Sequence, residues 1–261
     1  MKRARSADGT LIAYETTGAG PTLVLVGGAF CDRHARAAGT PLAAPLADRF
    51  TVVSYDRRGR GDSGDTPPWS VAREVEDLAA VVAAVGGHAA LHGISSGAIL
   101  VLEAALGGVA ATHLVLYEPP VTIEGDGHGP SPGLADELAA LAAAGQRAAA
   151  AELFLTRVVG VPAPALAGMK RAPFWPGLEA LAPTLAHDVR LTSGAAATVE
   201  RARGLDVPAL VLGGGASPAW MHEATRRVAQ ALPRGRHELL AGQTHDVDPA
   251  VLARAIAAFV G

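Results

Sequence analysis

The chain has 261 residues, 49% of them hydrophobic and 18% charged, with a formal net charge of −3. This composition is typical of a compact globular protein with a sizeable core, and the absence of a long charge run argues against nucleic acid as a partner. Cys31 is the single cysteine, which excludes an internal disulfide and a thiolate metal cluster. Because no apolar segment follows the basic N-terminus and no stretch approaches the roughly 20 residues that span a bilayer, we expect a cytoplasmic protein without membrane contact.

Strands and helices are predicted to alternate along the first part of the chain. Residues 10–16 alternate weakly and predict an edge strand, whereas the apolar runs at 22–26 and 50–55 predict strands buried on both faces. Ser70 is a predicted N-cap of a helix whose apolar residues follow the 3.6-residue period until Gly86-Gly87. A further apolar strand at 89–92, a helix that ends at Gly107-Gly108 and a strand at 113–118 follow.

The last third of the chain repeats this alternation. Strands are predicted at 208–213 and 236–240, with a helix at 222–232 between them, and Asp248-Pro249 supplies the N-cap and first residue of the final helix. The order predicts an α/β fold with a mostly parallel central sheet and helices on both faces.

Residues 121–205 differ because they contain no convincing strand. Ala- and Leu-rich helical pieces at 133–144, 146–159 and 175–187 are separated by prolines. We interpret this segment as a helical cap inserted into a core formed by residues 1–120 and 206–261. The alternative is a set of ordinary crossover helices, but an insertion of roughly 85 residues far exceeds one crossover.

The segment Gly93-Ile94-Ser95-Ser96-Gly97 carries the strongest chemical signal. A Gly-x-Ser-x-Gly between a strand and a helix is the nucleophile-elbow pattern, in which small residues allow a very tight turn and the serine projects from the top of the sheet. This position favours Ser95 over Ser96 as a nucleophile.

Three further segments resemble the α/β-hydrolase family, in particular its capped single-chain enzymes. They are a Gly27-Gly28 loop after a buried strand, a segment at 54–64 similar to the family's Asp-x-Arg-Gly-x-Gly-x-Ser loop, and a segment at 242–246 where the family keeps its catalytic histidine. The resemblance implies an oxyanion hole formed by the backbone N–H groups of Ala29, or less favourably Phe30, and of Ser96. It implies that His245 is the base. His92 lies within the predicted elbow strand and is interpreted as structural, and His34, in the loop after Gly27-Gly28, is expected at the surface, with a position facing the pocket as the alternative.

The resemblance leaves the acid of the triad open. Many relatives carry it as Gly-x-x-Asp after the strand at 208–213, but here the aspartate position is Ser217. Some relatives place it at the end of the strand after the elbow helix, which corresponds to Glu118, and we expect that residue to orient His245. A cap or salt-bridge role is the alternative for Glu118. Asp246 and Asp206 are less favourable, since one adjoins His245 and the other precedes its strand.

The remaining candidates concern the pocket and its support. Phe30, His34, Trp175 and Trp220 are tentative substrate-binding residues, with core packing as an equal alternative for the aromatic ones. The charged residues of the 54–64 loop are expected to form hydrogen bonds that support the Gly27-Gly28 loop, called the oxyanion loop below. No metal-ligand pattern or dinucleotide fingerprint is present in the sequence, so neither a metal nor another cofactor is expected.

The combined expectation is a cofactor-free serine hydrolase that cleaves a carboxylic ester or lactone of a small, fairly apolar molecule. In the family, epoxide hydrolases and dehalogenases use an aspartate nucleophile, which the serine argues against. C–C bond hydrolysis, perhydrolase or lyase chemistry, a natural-product pathway role, and a non-catalytic binding protein stay as alternatives. A small-molecule substrate is the expected partner, and the sequence leaves the oligomeric state open.

Overall fold

The computed structural model describes residues 1–34, 41–122 and 129–261. Its single described sheet has eight strands in the order β1-β2-β4-β3-β5-β6-β7-β8. β1 and β2 run antiparallel to their neighbours, and the pairs from β4 to β8 are parallel. The strands are β1 Lys2–Arg5, β2 Leu11–Thr17, β3 Thr22–Val26, β4 Thr51–Tyr55, β5 Ala89–Ile94, β6 Ala111–Tyr117, β7 Ala209–Gly214 and β8 Gly235–Leu240.

Helices cover both faces of this sheet, and a group of them lies between β6 and β7 in the chain. The helices are α1 Ala43–Leu46, α2 Val71–Ala84, α3 Ser96–Leu106, α4 Leu134–Ala143, α5 Arg147–Phe154, α6 Ala163–Met169, α7 Trp175–Leu181, α8 Leu185–Ser193, α9 Ala195–Arg201, α10 Ala219–Ala231 and α11 Pro249–Val260. A π-helical turn at Leu155–Val159 extends α5. None of the described helices combines the length and apolar character needed to cross a membrane.

The core has two layers because successive residues of the central strands point to opposite faces. Val24 of β3 belongs to the apolar cluster that includes α2, α3 and α10, whereas Leu23 belongs to the cluster that includes α1 and α11. A third cluster lies within the helices between β6 and β7, and Phe30 from the core joins it. The predicted α/β fold with a mostly parallel sheet is therefore confirmed.

Two local predictions need correction. The strand predicted at the sheet edge, residues 10–16, lies inside the sheet as β2, since β1 pairs with its outer side. β1 escaped prediction because it buries only Ala4 and has no apolar pattern. In the helical segment, Pro164 and Pro176 are among the prolines expected to separate the helical pieces. Each is instead the second residue of a helix, α6 or α7, where the missing N–H group costs nothing.

The predicted helix caps are confirmed. The Ser70 hydroxyl accepts a hydrogen bond of 3.3 Å from the Arg73 backbone N–H at the start of α2. The Asp248 carboxylate accepts bonds of 2.7 and 3.3 Å from the N–H groups of Ala250 and Val251. The division into a core and a separate cap domain stays a prediction.

We predict that Gly97→Ala strongly destabilises the protein. A Cβ atom at this position of α3 would lie 2.3 Å from the Val26 carbonyl oxygen and 2.7 Å from that of Gly27, and backbone atoms cannot yield easily. The expected loss is about 1–3 kcal/mol or more in the free energy of unfolding, measured by urea denaturation. Gly168→Ala is the matched control, because this exposed α6 position has open space and alanine favours a helix by about 0.5–1 kcal/mol. Equal stabilities of the two variants would contradict the prediction.

Candidate active site

Ser95 lies in the turn between β5 and α3, with φ 56° and ψ −129°. Its backbone N–H donates a 2.9 Å hydrogen bond to the carbonyl of Tyr117 on the neighbouring strand β6. A Cβ atom on Gly93 would lie 2.5 Å from the Gly97 carbonyl oxygen, so strand and helix approach too closely for a larger residue there. The turn therefore has the tight geometry that the Gly-x-Ser-x-Gly pattern predicts.

Backbone strain is concentrated around this turn. Among the described residues, the non-glycine residues with positive φ are Phe30, Ser95 and Glu118, at 58°, 56° and 45°. They follow β3, β5 and β6, which are adjacent in the sheet. Such conformations cost on the order of 1–3 kcal/mol each and cluster at functional sites. The strain thus points to one place at the carboxyl ends of three parallel strands.

A carboxylate–imidazole pair lies at the same edge of the sheet. One carboxylate oxygen of Glu118 lies 2.6 Å from Nδ1 of His245. The other oxygen accepts a 2.8 Å hydrogen bond from the Gly214 backbone N–H. The Glu118 side chain is 1% exposed, whereas that of His245 is 52% exposed. An Nδ1–H that donates to the carboxylate leaves Nε2 as a proton acceptor. Within the described chain, Ser95 and His245 make no direct hydrogen bond, a contact that is often long without substrate.

The Glu118 carboxyl group is held in its ionised form. Burial raises its pKa, but the hydrogen bonds from His245 and the Gly214 N–H, together with the nearby Ser217 hydroxyl, outweigh burial, so that the pKa lies below its usual value. The Ser217 hydroxyl is buried and close enough to affect Glu118, although it forms no hydrogen bond of good geometry among the described residues. Ser217, at the position where many relatives carry an aspartate, therefore adjoins the carboxylate of Glu118, which follows β6.

Tyr117 supports the loop that carries His245. Its side chain is buried, and its hydroxyl donates a 2.5 Å hydrogen bond to the Thr244 carbonyl. Burial and the charge of Glu118 raise the pKa of Tyr117, so the hydroxyl keeps its proton for this bond. Sequence reasoning missed this contact, because the two residues are far apart in the chain and no motif links them.

The Gly27-Gly28 loop passes directly beside Ser95. A Cβ atom on Gly28 would lie 2.9 Å from the Ser95 Cβ and 3.5 Å from its Oγ. The N–H groups of Ala29 and Ser96 donate to no acceptor among the described residues. Ser96 opens α3, where N–H groups lack partners within the helix. Both donors are thus available next to the serine hydroxyl.

Two of the four predicted pocket residues, Phe30 and Trp175, share the third apolar cluster, and His34 and Trp220 lie elsewhere. The Phe30 ring is buried edge-on against Phe154 of α5, with ring centroids 5.4 Å apart. Trp175 is buried among the helices between β6 and β7, where its Nε1 donates to Glu179. Trp220 belongs to α10 and packs against the first apolar cluster of the core. His34 is exposed and lines a cavity of about 270 Å³ with Cys31, Ile94 and other residues.

The charged loop after β4 forms a buried network of ion pairs. Asp56 accepts hydrogen bonds from the backbone N–H groups of Arg33 and Asp62, both at 2.8 Å, and pairs with the Arg33 side chain. Arg57 pairs with Glu74, at 2.6 and 2.7 Å, and with Asp188, at 2.8 Å. Asp188 belongs to α8, and no sequence motif marks it.

The other histidine near the elbow has a structural place. His92 is buried in β5 with Nδ1 3.1 Å from the Val115 carbonyl, and burial lowers its pKa to about 4. The described residues contain no group of three or more histidine, cysteine or carboxylate side chains arranged to hold a metal ion.

Comparison with known proteins agrees with this fold. Residues 23–260 match the profile of the Alpha/beta hydrolase family. An alpha/beta hydrolase from Sphaerobacter thermophilus is 45% identical over the full length of both chains, with a TM-score of 0.92. An esterase from Rhodococcus sp. ECU1013 is 26% identical over 99% of this chain and 98% of its own, with a TM-score of 0.68. An enol-lactonase from Burkholderia xenovorans is 21% identical over 99% of both chains, with a TM-score of 0.73.

The chain therefore belongs to the alpha/beta hydrolase family, as its motifs predict. It is a hydrolase of this fold, and the relatives with named activities include an esterase and an enol-lactonase.

We predict a pH-dependent stability contribution from Glu118. Since its pKa in the folded protein lies below the usual value of about 4.5, the ionised carboxylate stabilises the fold above that pH, and this contribution is lost as the pH falls through the lowered pKa. The difference in unfolding free energy between wild type and Glu118→Gln is expected to be largest near pH 7 and to shrink below about pH 4.5. Urea denaturation across this range measures it. A difference that is constant or grows on acidification would contradict the prediction.

Proposed function

We propose that the protein is a cofactor-free serine hydrolase that cleaves carboxylic esters or lactones through an acyl-enzyme. Ser95 is the nucleophile, His245 the general base and Glu118 the residue that orients the histidine. The observation that carries the proposal is the buried Glu118 carboxylate bound to His245 Nδ1 at 2.6 Å, at the strand end next to the strained Ser95 turn.

The chemistry follows from the protonation states at this site. A serine hydroxyl is a weak nucleophile unless a base accepts its proton. With Nδ1 engaged by Glu118, Nε2 of His245 is free to take the Ser95 proton as the oxygen attacks the substrate carbonyl. Glu118 then stabilises the imidazolium, which returns the proton to the leaving group. Water, activated by the same histidine, releases the acyl group.

The negative charge on the substrate oxygen needs donors in fixed positions. The N–H groups of Ala29 and Ser96 are proposed for this role, because both are unpaired among the described residues and flank the serine. Donors held in advance stabilise the charge without reorganisation during the reaction.

The surroundings favour a small and fairly apolar substrate. Phe30, next to Ala29, is in contact with the apolar cluster of the helices between β6 and β7, which we propose to be a cap. The cavity of about 270 Å³ that Ile94 lines also contains Asp32, Arg33 and His34, and Ser95 is not among its lining residues, so this cavity carries no argument about the substrate. The esterase and enol-lactonase relatives support carboxylic esters and lactones as the substrate class.

The decisive variant is Ser95→Ala. It is expected to lower kcat for p-nitrophenyl butyrate by about 10⁴-fold or more and to abolish labelling by a fluorophosphonate probe. Ser193→Ala is the control, because in the part of the chain that the structure describes this hydroxyl donates only to the Val189 carbonyl of its own helix. Turnover that survives in Ser95→Ala would refute the serine mechanism, and a wild type that neither reacts with the probe nor hydrolyses esters would favour a binding protein.

Glu118→Gln tests the proposed acid. Loss of the orienting carboxylate is expected to lower kcat by about 10²- to 10⁴-fold, since the amide no longer fixes the histidine tautomer or stabilises the imidazolium. Asp246→Asn is the matched control, because Asp246 adjoins His245 in the chain and, among the described residues, its carboxylate makes no hydrogen bond or ion pair with the His245 ring. Circular dichroism and thermal unfolding check that both variants fold. Near wild-type kcat in folded Glu118→Gln would exclude this acid.

A further inference from the structure

A buried carboxylate of α8, that of Asp188, is hydrogen-bonded directly to Ser96 and reaches the loop of Ala29 through Arg60. One oxygen of Asp188 accepts hydrogen bonds from the Ser96 hydroxyl at 2.7 Å and from Arg57 at 2.8 Å. The other oxygen accepts from Arg60 at 2.7 Å. Asp188, Arg57, Arg60 and Ser96 are each at most 2% exposed. The helices between β6 and β7 thus contact the catalytic core through charge-assisted bonds, which are stronger than neutral ones.

Arg60 transmits this contact to the oxyanion loop. Its Nη1 donates to the Gly28 carbonyl at 2.5 Å and to the Cys31 carbonyl at 3.3 Å, on either side of Ala29 and Phe30. In a planar trans peptide the C=O and the following N–H point in opposite directions. The guanidinium that holds the Gly28 oxygen therefore directs the Ala29 N–H to the opposite side of the same peptide.

Ser96 transmits the contact to the other donor. Ser96 is the first residue of α3, and its hydroxyl donates to Asp188, which anchors the residue whose backbone N–H is the second proposed donor. Arg57 also lies 3.5 Å from this hydroxyl and 3.4 Å from the Gly27 carbonyl. A single carboxylate therefore joins the two backbone segments that supply the donors.

We propose that Asp188 is a positioning residue of the reaction: through Ser96 and Arg60 it sets the direction and spacing of the two N–H groups that hold the oxyanion. This inference rests on the proposed serine-hydrolase function. Among the described residues the Asp188 carboxylate has no hydrogen bond or ion pair with Ser95, Glu118 or His245, so we expect its effect on the reaction to pass through the two donors.

A second buried ion pair offers a control for stability. Asp77 binds Arg58 of the same loop with two bonds of 2.7 Å, and its exposed fraction is 1%, equal to that of Asp188. Arg58 otherwise contacts Asp8 and the Arg73 carbonyl, and not the oxyanion loop. Both Asp77→Asn and Asp188→Asn therefore weaken a buried arginine–carboxylate pair. Of these two carboxylates, only Asp188 is connected to the proposed oxyanion donors.

The experiment compares kcat and KM for p-nitrophenyl butyrate, per folded molecule, in wild type, Asp188→Asn and Asp77→Asn. Thermal unfolding is expected to show a lowered melting temperature in both variants. Asp188→Asn is expected to lower kcat by about 10- to 100-fold with little change in KM, because misplaced donors weaken transition-state binding only. Asp77→Asn is expected to keep kcat within about 3-fold. Affinity for phenylboronic acid, which forms a tetrahedral adduct with the serine, is expected to fall only in Asp188→Asn.

Should Asp188→Asn fail to fold, Ser96→Ala replaces it, since it removes one link and keeps the Ser96 N–H. Its kcat is expected to fall about 5- to 10-fold at unchanged KM. The proposal is overturned if the folded Asp188→Asn, or Ser96→Ala in its place, matches Asp77→Asn in kcat and boronate affinity while wild type is active and labelled at Ser95. A wild type without Ser95-dependent turnover would instead overturn the proposed function, and this inference with it.

Discussion

The close approach of α3 to the ends of β3 and β5 is the constraint from which the site geometry follows. Gly97 lies so near the carbonyls of Val26 and Gly27 that no side chain fits. Gly93 is equally close to the backbone of α3, so a side chain there would also clash. This packing forces Ser95 into its strained turn and aligns the start of α3 with the loop after β3. A serine side chain, a helix N-terminus and a backbone loop thereby meet at one point, and a looser helix would separate all three.

The buried ion pairs contribute more to the orientation of groups within this packing than to the stability of the fold. Arg57, Arg58 and Arg60 are at most 2% exposed, and each pairs with a buried carboxylate. Desolvation offsets much of the attraction in such pairs, so apolar side chains of similar volume are often as stabilising. What apolar residues cannot supply is a directed bond to a carbonyl oxygen. The bonds from Arg60 to the loop after β3 give this costly arrangement a role in orienting peptide groups.

The sequence alone predicts those features that depend on residues close together in the chain. The elbow around Ser95, the helix caps and the buried strands follow from local patterns, and the family resemblance adds His245. Sequence patterns do not predict contacts between distant segments. Asp188 and Ser96, which are hydrogen-bonded, are 92 residues apart, and Tyr117 and Thr244 are 127 apart. β1 was missed for another reason, since backbone pairing with β2 holds it and its side chains carry no periodic signal.

The place of the proposed acid follows from how β6 and β7 end. Glu118 turns away from β6 with positive φ, and its carboxylate reaches the Gly214 N–H at the end of β7. Ser217, where many relatives carry an aspartate, comes close enough to the same carboxylate to lower its pKa. A carboxylate at both positions would place two negative charges in one buried space and force one to take up a proton. The space therefore admits one charged acid, and a small hydroxyl at Ser217 is what allows that acid to come from β6.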